Sequence, residues 1–246
     1  LPLCQAAKQL KIPAIHVVSP SVWAWRRARI PKIAAQLDAL LCLFPFEPEL
    51  YAETGLHTVF IGHPLASQID FNPDPVPARL ALDLLLDVPY VALLPGSRAG
   101  EVARLLPLFL AAFDQLQRDR PELRAVIPAA TPALYEVVQR AVGTRPVTVV
   151  HGESRMVMAA ADAVLLASGT AALEAVLTGR PTVAAYQMNP WTYRLVKARL
   201  QTDYVTLPNF MAGRALIPEL IQDAATPEAL AHALGAALEQ GADTEF

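Results

Sequence analysis

The chain has 246 residues, of which 54% are hydrophobic and 17% are charged, and its formal net charge at pH 7 is −3. That length accommodates one large domain or two small ones with sizeable cores, and the apolar fraction is typical of a well-packed α/β protein. The slight negative charge gives no support for nucleic acid as a partner. No apolar run reaches the roughly 18 residues that a membrane-spanning helix needs.

The start of the chain, its cysteines and its histidines indicate no targeting signal, disulfide or metal site. The first residues lack the basic segment and apolar stretch of a signal peptide. Residues 4–15 are typical of a helix end that runs into a strand, so we expect the chain to start within a domain. Cys4 and Cys42 have no CxxC spacing and fit buried thiols of a reducing compartment. The five histidines show no metal-ligand spacing, and we expect neither a metal nor another cofactor.

Short apolar runs alternate with helical patterns along nearly the whole chain. This alternation is typical of βαβ units and of parallel sheets covered by helices on both faces. The predicted fold class is therefore α/β. The predicted strands are residues 14–18, 39–44, 58–61, 91–94, 124–127, 147–150, 163–166, 182–185 and 204–206.

The first unusual segment places two tryptophans beside four cations, in the sequence Ser-Pro-Ser-Val-Trp-Ala-Trp-Arg-Arg-Ala-Arg-Ile-Pro-Lys (19–32). Aromatic side chains next to arginines are attracted to an anionic membrane surface, or they face acyl chains. The alternative is a solvated basic face whose tryptophans pack into the core. The residues predicted to make the membrane or acyl contact are Trp23, Trp25, Arg26, Arg27 and Arg29.

His63 and a proline-rich stretch mark the predicted division into domains. His63 follows a predicted strand and either reaches a cleft between domains or hydrogen-bonds the local backbone. Residues 66–77 contain Asn-Pro-Asp-Pro-Val-Pro, which is too irregular for a helix or a strand. We therefore predict a remnant of a first domain at residues 1–65, a connector at 66–77, and a second domain at 78–246 that carries both polar turns described next.

The first of these turns is Pro-Gly-Ser-Arg (95–98), which joins a buried strand to an amphipathic helix. Gly96 and Ser97 lie where the strand becomes a helix, and the guanidinium of Arg98 can fork onto two phosphate oxygens. The alternative is that Arg98 only pairs with a neighbouring carboxylate.

The second turn is Ser168-Gly169-Thr170, which also lies between a buried strand and a helix. Such a turn offers free backbone N–H groups and a positive helix end to an anion. Glu174 misses the spacing of a capping box, and it can instead accept two hydrogen bonds from a ribose diol; the alternative is a surface glutamate. Together the two turns indicate a nucleoside diphosphate, and neither has the Walker or G-x-G-x-x-G pattern of ATP or NAD sites.

Two further polar residues follow later strands. Gln187 comes just after strand 182–185, and ligands of open parallel sheets bind at the carboxyl ends of strands. Asn209 follows the last predicted strand and either contacts a sugar or phosphate or forms an Asx-turn or helix cap. No G-x-S-x-G turn occurs, so the residues indicate a binding site without a convincing catalytic base. The residues predicted to bind the nucleotide ligand are Gly96, Ser97, Arg98, Ser168, Gly169, Thr170, Glu174, Gln187 and Asn209.

Several of these segments, in this order and over nearly the whole chain, resemble the lipid-A-disaccharide synthases. That family consists of inverting glycosyltransferases of the GT-B type (glycosyltransferase family 19). Ser-Pro-Ser-Val-Trp-Ala-Trp and Leu-Pro-Asn-x-x-Ala-Gly-Arg are highly specific to it. The matching segments are residues 17–26, 44–47, 60–64, 93–98, 167–174 and 202–214.

The resemblance implies two Rossmann-like domains with the active site in their cleft. It implies that residues 1–65 are the remnant of an acceptor-side domain and that residues 78–246 are the domain that binds the nucleotide-sugar donor. It implies transfer of 2,3-diacylglucosamine from UDP-2,3-diacylglucosamine to 2,3-diacylglucosamine 1-phosphate, which yields the β-1,6-linked disaccharide 1-phosphate and UDP without a metal. Arg98 and Asn209 match residues that the family needs, and Glu174 matches its ribose-binding carboxylate. The implied location is peripheral, on the cytoplasmic face of the inner membrane.

The chain also departs from the family pattern. The family's Gly-Glu-x-Ser-Gly-Asp loop and its Asp-x-Pro-Asp-Phe-Asn motif, which carries the expected catalytic base, have no counterpart in this sequence. We expect the base upstream of Leu1, with His63 as a weak candidate within the chain. The tail that supports dimers also looks short, so a homodimer is expected of the full-length protein. The alternatives are a UDP-sugar-binding fragment without turnover and a UDP-sugar epimerase of the same fold.

Overall fold

A computed structural model describes residues 1–23, 26–197 and 202–240 of the chain. The chain divides into two compact units. The first unit consists of Leu1–Gln68 and Trp191–Asp203, and the second consists of Ile69–Pro190 and Tyr204–Phe246. The chain therefore leaves the second unit after Pro190 and returns to it at Tyr204, so the second unit is discontinuous in sequence.

Helices and strands alternate through both units. The α-helices are α1 (Pro2–Gln9), α2 (Ile30–Ala34), α3 (Pro75–Ala81), α4 (Ala99–Asp119), α5 (Pro132–Val142), α6 (Ser154–Ala160), α7 (Thr170–Leu177), α8 (Pro190–Lys197), α9 (Leu207–Ala212) and α10 (Pro227–Gln240). The strands are β1 (Ile15–Val17), β2 (Ala39–Cys42), β3 (His57–Phe60), β4 (Tyr90–Leu94), β5 (Arg124–Ala129), β6 (Val147–His151), β7 (Ala163–Ala167), β8 (Thr182–Tyr186) and β9 (Glu219–Ile221). Short 3-10 helices lie at Arg27–Arg29, Pro48–Thr54, Pro64–Ser67 and Gln222–Ala224.

The first unit contains a parallel sheet of three strands in the order β1-β2-β3. Its central strand supplies the buried side chains Leu40 and Cys42, which pack with Tyr51 and with the apolar face of α2. The outer strands are less covered, since Ile15 is 62% and Phe60 is 48% exposed. The core of this unit is therefore small and lies around β2.

The second unit is built on six parallel strands in the order β6-β5-β4-β7-β8-β9. One face of the sheet packs against α4 and α10, and the other packs against α3, α6 and α7. Every residue of β4 is buried, as expected for a strand that is covered on both faces. The order is that of a doubly wound sheet whose direction of winding reverses between β4 and β7.

Eight of the predicted strands are confirmed to within two residues at each end, and the ninth is wrong. Residues 204–206 form no strand, because the backbone N–H groups of Val205 and Thr206 donate to the carboxylate of Glu219 at 2.8 and 2.9 Å. Thr206 then becomes the N-cap residue of α9. The last strand, β9, begins at Glu219 itself.

The proline-rich stretch that predicted an irregular connector in fact begins a helix. Helix α3 starts at Pro75, and the carboxylate of Asp74 caps it by accepting a hydrogen bond from the N–H of Val76 at 3.0 Å. Prolines fit the first turn of a helix because the N–H groups there have no partner within the helix.

None of the described helices is long and apolar enough to cross a membrane.

Candidate functional site

A pocket of about 640 Å³ opens beside the carboxyl ends of β4 and β7 in the second unit. These two strands flank the reversal of winding, where open α/β sheets bind their ligands. Both predicted turns line the pocket. The lining residues are Leu94, Gly96, Ser97, Arg98, Glu101, Pro128, Ala130, Gly152, Ser154, Ala167, Ser168, Gly169, Thr170, Ala171 and Glu174.

The turn after β4 requires glycine at position 96. Gly96 has a φ of +118°, and a Cβ added there would lie 2.7 Å from Oε2 and 2.8 Å from Cβ of Glu101. A side chain is therefore excluded both by the backbone conformation and by the close approach of α4. As a result the beginning of α4, which no side chain caps, lies directly beside the end of β4.

Arg98 and Glu101 form an ion pair at the rim of the pocket, with Nη1 2.8 Å from Oε1. The side chain of Arg98 is 81% exposed, so this pair contributes little to stability. A phosphate that enters the pocket competes with Glu101 for the guanidinium. No role was predicted for Glu101, although it lies three residues after Arg98, the N-cap residue of α4.

The turn after β7 leaves the beginning of α7 open. The N–H of Ser168 donates to the carbonyl of Ala185 at 2.9 Å, which fixes the turn to β8. Gly169 is the N-cap residue of α7, and no side chain caps this helix. The first N–H groups of α7 are thus available to an anion, and the helix dipole favours negative charge at this end.

Glu174 lies one turn into α7, and its side chain is 18% exposed. Its Oε1 accepts hydrogen bonds of 3.3 Å from Nε and Nη2 of Arg155, while Oε2 has no partner among the described residues. Arg155 orients the carboxylate and leaves one oxygen for a ligand. Arg155 was not predicted from the sequence, although it follows β6 in a polar turn, Gly-Glu-Ser-Arg, of the same kind as the other two.

Gln187 and Asn209 do not line the pocket. The Nε2 of Gln187 donates to the carbonyls of Gln222 and Ala225, both at 3.3 Å. Asn209 is 1% exposed. Its Nδ2 donates to the carbonyl of Ile217 and to Glu219, and its Oδ1 accepts from two backbone N–H groups. Both amides therefore hold loops of the second unit together, and their contact with a ligand stays a prediction.

The remaining predicted residues belong to the first unit. The Nδ1 of His63 accepts a hydrogen bond from the N–H of Leu65 at 3.1 Å, so its side chain caps a 3-10 helix. Trp23 is half-buried and packs edge-on against Phe46. Trp25 lies outside the described residues. The cations Arg26, Arg27 and Arg29 are all exposed.

Two solved glycosyltransferases share this fold. The glycotransferase of kitacinnamycin aligns with a TM-score of 0.55 at 18% identity, over 96% of this chain and 65% of that one. The E. coli ADP-heptose lps heptosyltransferase II aligns with a TM-score of 0.51 at 13% identity, over 92% of this chain and 99% of that one. The parallel sheets and these likenesses define an α/β protein with the GT-B fold.

Sequence comparison identifies the family within that class. The model of the lipid-A-disaccharide synthetase family matches residues 1–245. The lipid-A-disaccharide synthases of Burkholderia vietnamiensis and Pseudomonas paraeruginosa are 48% and 49% identical over 93% and 95% of this chain. The chain belongs to the lipid-A-disaccharide synthase family, and it spans 60% and 63% of the length of these two relatives.

Proposed function

We propose that this chain is the donor-binding portion of a lipid-A-disaccharide synthase. The reaction is the transfer of 2,3-diacylglucosamine from UDP-2,3-diacylglucosamine to 2,3-diacylglucosamine 1-phosphate, with release of UDP. The observation that carries this proposal is the convergence of two anion-binding turns and one carboxylate on a single pocket at the switch point of the sheet. A nucleoside diphosphate combines the two groups that such a set recognises, namely phosphate and a ribose diol.

In this proposal the N-termini of α4 and α7 and the guanidinium of Arg98 bind the diphosphate. Negative charge develops on the leaving diphosphate as the bond from the sugar carbon to oxygen breaks. Backbone N–H groups held in fixed positions stabilise that charge without reorganisation. The Oε2 of Glu174 accepts hydrogen bonds from the ribose hydroxyls.

Calorimetric titration of the 246-residue chain with UDP tests this assignment. Arg98→Ala is expected to weaken UDP binding by about 1.5–3 kcal/mol, the contribution of a charge-assisted hydrogen bond. Arg118→Ala, near the other end of the same helix, is the matched control and should bind UDP like the parent. Equal affinity of the Arg98 variant and the parent would refute the role of Arg98.

We further propose that the catalytic base lies upstream of Leu1, so that this chain alone binds UDP but forms no disaccharide. A positioned base typically contributes about 10²–10⁴ in rate. The comparison is a radiolabelled-donor assay of the chain and of a version extended upstream. Disaccharide formed by the chain at the rate of the extended protein would mean that the base lies within residues 1–246, with His63 the first residue to mutate.

We also propose that the full-length protein is a homodimer.

A third proposal is that residues 23–32 bind the anionic cytoplasmic face of the inner membrane. Arg27, Arg29 and Lys32 support the membrane contact, because they are exposed and their side chains make no ion pair with the described residues. Each such cation contributes about 1 kcal/mol near an anionic surface, and salt screens it. Changing Arg26, Arg27 and Arg29 to Gln should weaken co-sedimentation with anionic liposomes. The control changes three exposed arginines of the second unit, Arg104, Arg118 and Arg140.

A further inference from the structure

Four aromatic rings form a strip at the carboxyl ends of the three parallel strands of the first unit. Trp23 follows β1, Phe44 and Phe46 follow β2, and His63 follows β3. The ring centroids are 5.7 Å apart for Trp23 and Phe46, 5.8 Å for Phe44 and Phe46, and 5.4 Å for Phe44 and His63. All four rings are half-buried. The strip therefore joins all three loops at the edge where parallel sheets bind ligands.

The loop that carries Trp23 has a strained conformation. Val18, at the end of β1, has a φ of +75°, which is a real outlier for a β-branched residue. Such strain persists only where the surrounding structure enforces it, and it occurs most often at functional sites. Here Ser19 is hydrogen-bonded to the buried hydroxyl of Tyr51 at 3.1 Å, and Val22 is 1% exposed. These contacts hold the loop in the conformation that brings Trp23 to Phe46.

His63 supplies a hydrogen-bond donor to this strip. Because Nδ1 accepts a hydrogen bond from the N–H of Leu65, the neutral imidazole carries its proton on Nε2. That N–H has no partner among the described residues. A neutral His63 thus presents a donor, whereas a general base at this position needs an unprotonated Nε2.

The surface of the strip fits a small ligand better than a protein partner. Four half-buried rings expose on the order of 300 Å², which is below the roughly 500 Å² that each partner contributes to a specific protein interface. Val18 and Ile61, in the same loops, are 47% and 50% exposed and extend the apolar surface. A hydrocarbon chain can pack against the rings, and an oxygen atom next to that chain can accept a hydrogen bond from the Nε2–H group.

We propose that this strip binds the fatty-acyl amide or ester group of the acceptor sugar, with the acyl carbonyl accepting a hydrogen bond from Nε2 of His63 and the chain lying along Phe44, Phe46 and Trp23. The assignment rests on the proposed function, because it takes the acceptor to be an acylated glucosamine 1-phosphate. His63 is then a binding residue that positions the acceptor.

The test is calorimetric titration of the 246-residue chain with N-octanoylglucosamine 1-phosphate. His63→Asn keeps an acceptor for the N–H of Leu65 but removes the donor, and should weaken binding about fivefold to tenfold, the range of one hydrogen bond. His63→Gln places an amide N–H near the position of Nε2 and should recover most of the affinity. His57→Asn, at the exposed start of β3, is the control. Phe46→Leu keeps apolar volume without the ring and should also weaken binding, which tests the strip if the His63 variants unfold.

Two results would overturn the assignment. One is parent-like affinity in both His63→Asn and Phe46→Leu. The other is equally tight binding of octyl glucoside, which has the same chain length but no carbonyl. UDP affinity is measured in parallel and should not change in any of these variants. If the parent binds the acyl sugar but not UDP, the proposed function is wrong, whereas binding of an acyl sugar at the strip is supported. If the parent binds UDP but not the acyl sugar, only the assignment of the strip is wrong.

Discussion

The two parallel sheets of this protein end in carboxyl edges of different chemistry. The edge of the second unit consists of tight turns and helix N-termini around Gly96 and Gly169, so backbone N–H groups dominate it. The edge of the first unit carries the rings of Phe44, Phe46 and His63, so side chains dominate it. A site made of backbone depends on the frame that positions the strands, whereas a site made of side chains depends on the loops that carry them.

The largest effect is expected from the contacts of Arg79 at the amino ends of β4 and β7, opposite the carboxyl ends that form the pocket. The guanidinium of Arg79 donates to the carbonyl of Ala160 and to Asp162, and Asp162 also accepts from the N–H of Tyr90 at the start of β4. Arg79 is 6% exposed. Arg79→Met removes the ion pair with Asp162 and leaves the carbonyl of Ala160 without this donor, and it should lower the free energy of unfolding of this unit by about 2–4 kcal/mol.

Chemical denaturation measures this loss, and Arg120→Met provides the comparison. Arg120 makes a single ion pair with Glu239, whose side chain is 71% exposed, so its removal should cost less than about 1 kcal/mol. Equal effects of the two substitutions would show that the contacts of Arg79 do not hold the strands of the second unit in position.

Gly96→Ala should give the next largest effect, because it acts on the backbone of the site itself. The positive φ alone costs about 1–2 kcal/mol for a residue with a side chain, and the contact with Glu101 adds to it. We expect lower stability and at least a tenfold loss of UDP affinity. Gly100→Ala is the matched control, since a Cβ at Gly100 meets nothing within 4 Å. Parent-like UDP binding by Gly96→Ala would contradict a backbone-built site.

Glu101→Gln should strengthen UDP binding at the pocket of the second unit. The substitution removes the carboxylate that pairs with Arg98 and that repels a diphosphate in the same pocket. UDP affinity should rise about twofold to fivefold, the scale of an exposed ion pair. Glu136→Gln, on the exposed face of α5, should leave it unchanged. Weaker UDP binding in Glu101→Gln would mean that the carboxylate supports the ligand.

The smallest effect concerns the loop that carries the rings of the first unit. Oε2 of Glu47 accepts hydrogen bonds from the N–H groups of Leu43 and Phe44, both at 3.0 Å. Burial nevertheless raises the pKa of this carboxyl above its usual range. The folded protein therefore binds this proton more tightly than the unfolded chain, so stability is lost as pH rises from the ordinary glutamate pKa through the raised one.

Glu47→Gln keeps an acceptor oxygen but removes the charge. It should equal or exceed the parent in stability at pH 7 by up to about 1 kcal/mol, and it should lack this component of the pH dependence. Denaturation of both proteins between pH 4 and pH 8 gives the difference. If the parent gains stability relative to Glu47→Gln as pH rises, the pKa of Glu47 is not raised in the folded protein.

The sequence predicted the strands well because each buried strand is a continuous apolar run between polar turns. It predicted the two turns for the same reason, since glycine and hydroxyl residues interrupt the pattern where β4 and β7 end. The failure at residues 204–206 has a different origin. Those residues look like a strand locally, but Glu219, more than a dozen residues later, takes their N–H groups. Only the fold reveals that competition.

Side-chain partners far apart in sequence were equally hidden. Arg79 and Asp162 are 83 residues apart, and nothing in either local pattern indicates that they meet. Asn209 illustrates a related limit, because a polar residue after a predicted strand suits a ligand site and a contact between loops equally well. By contrast, Arg155 was within reach of the sequence, since it follows β6 in a turn of the kind already recognised after β4 and β7.

The packing of α4 against α10 has a consequence for the order of events during synthesis. Helix α4 is made early, but the side chains that cover it, Leu230 and Leu234 of α10, belong to the same core cluster and are made more than a hundred residues later. At ribosomal rates of about 5–20 residues per second, its apolar face waits several seconds for its partner. In a nascent chain the apolar face of α4 therefore stays without this cover until α10 has emerged.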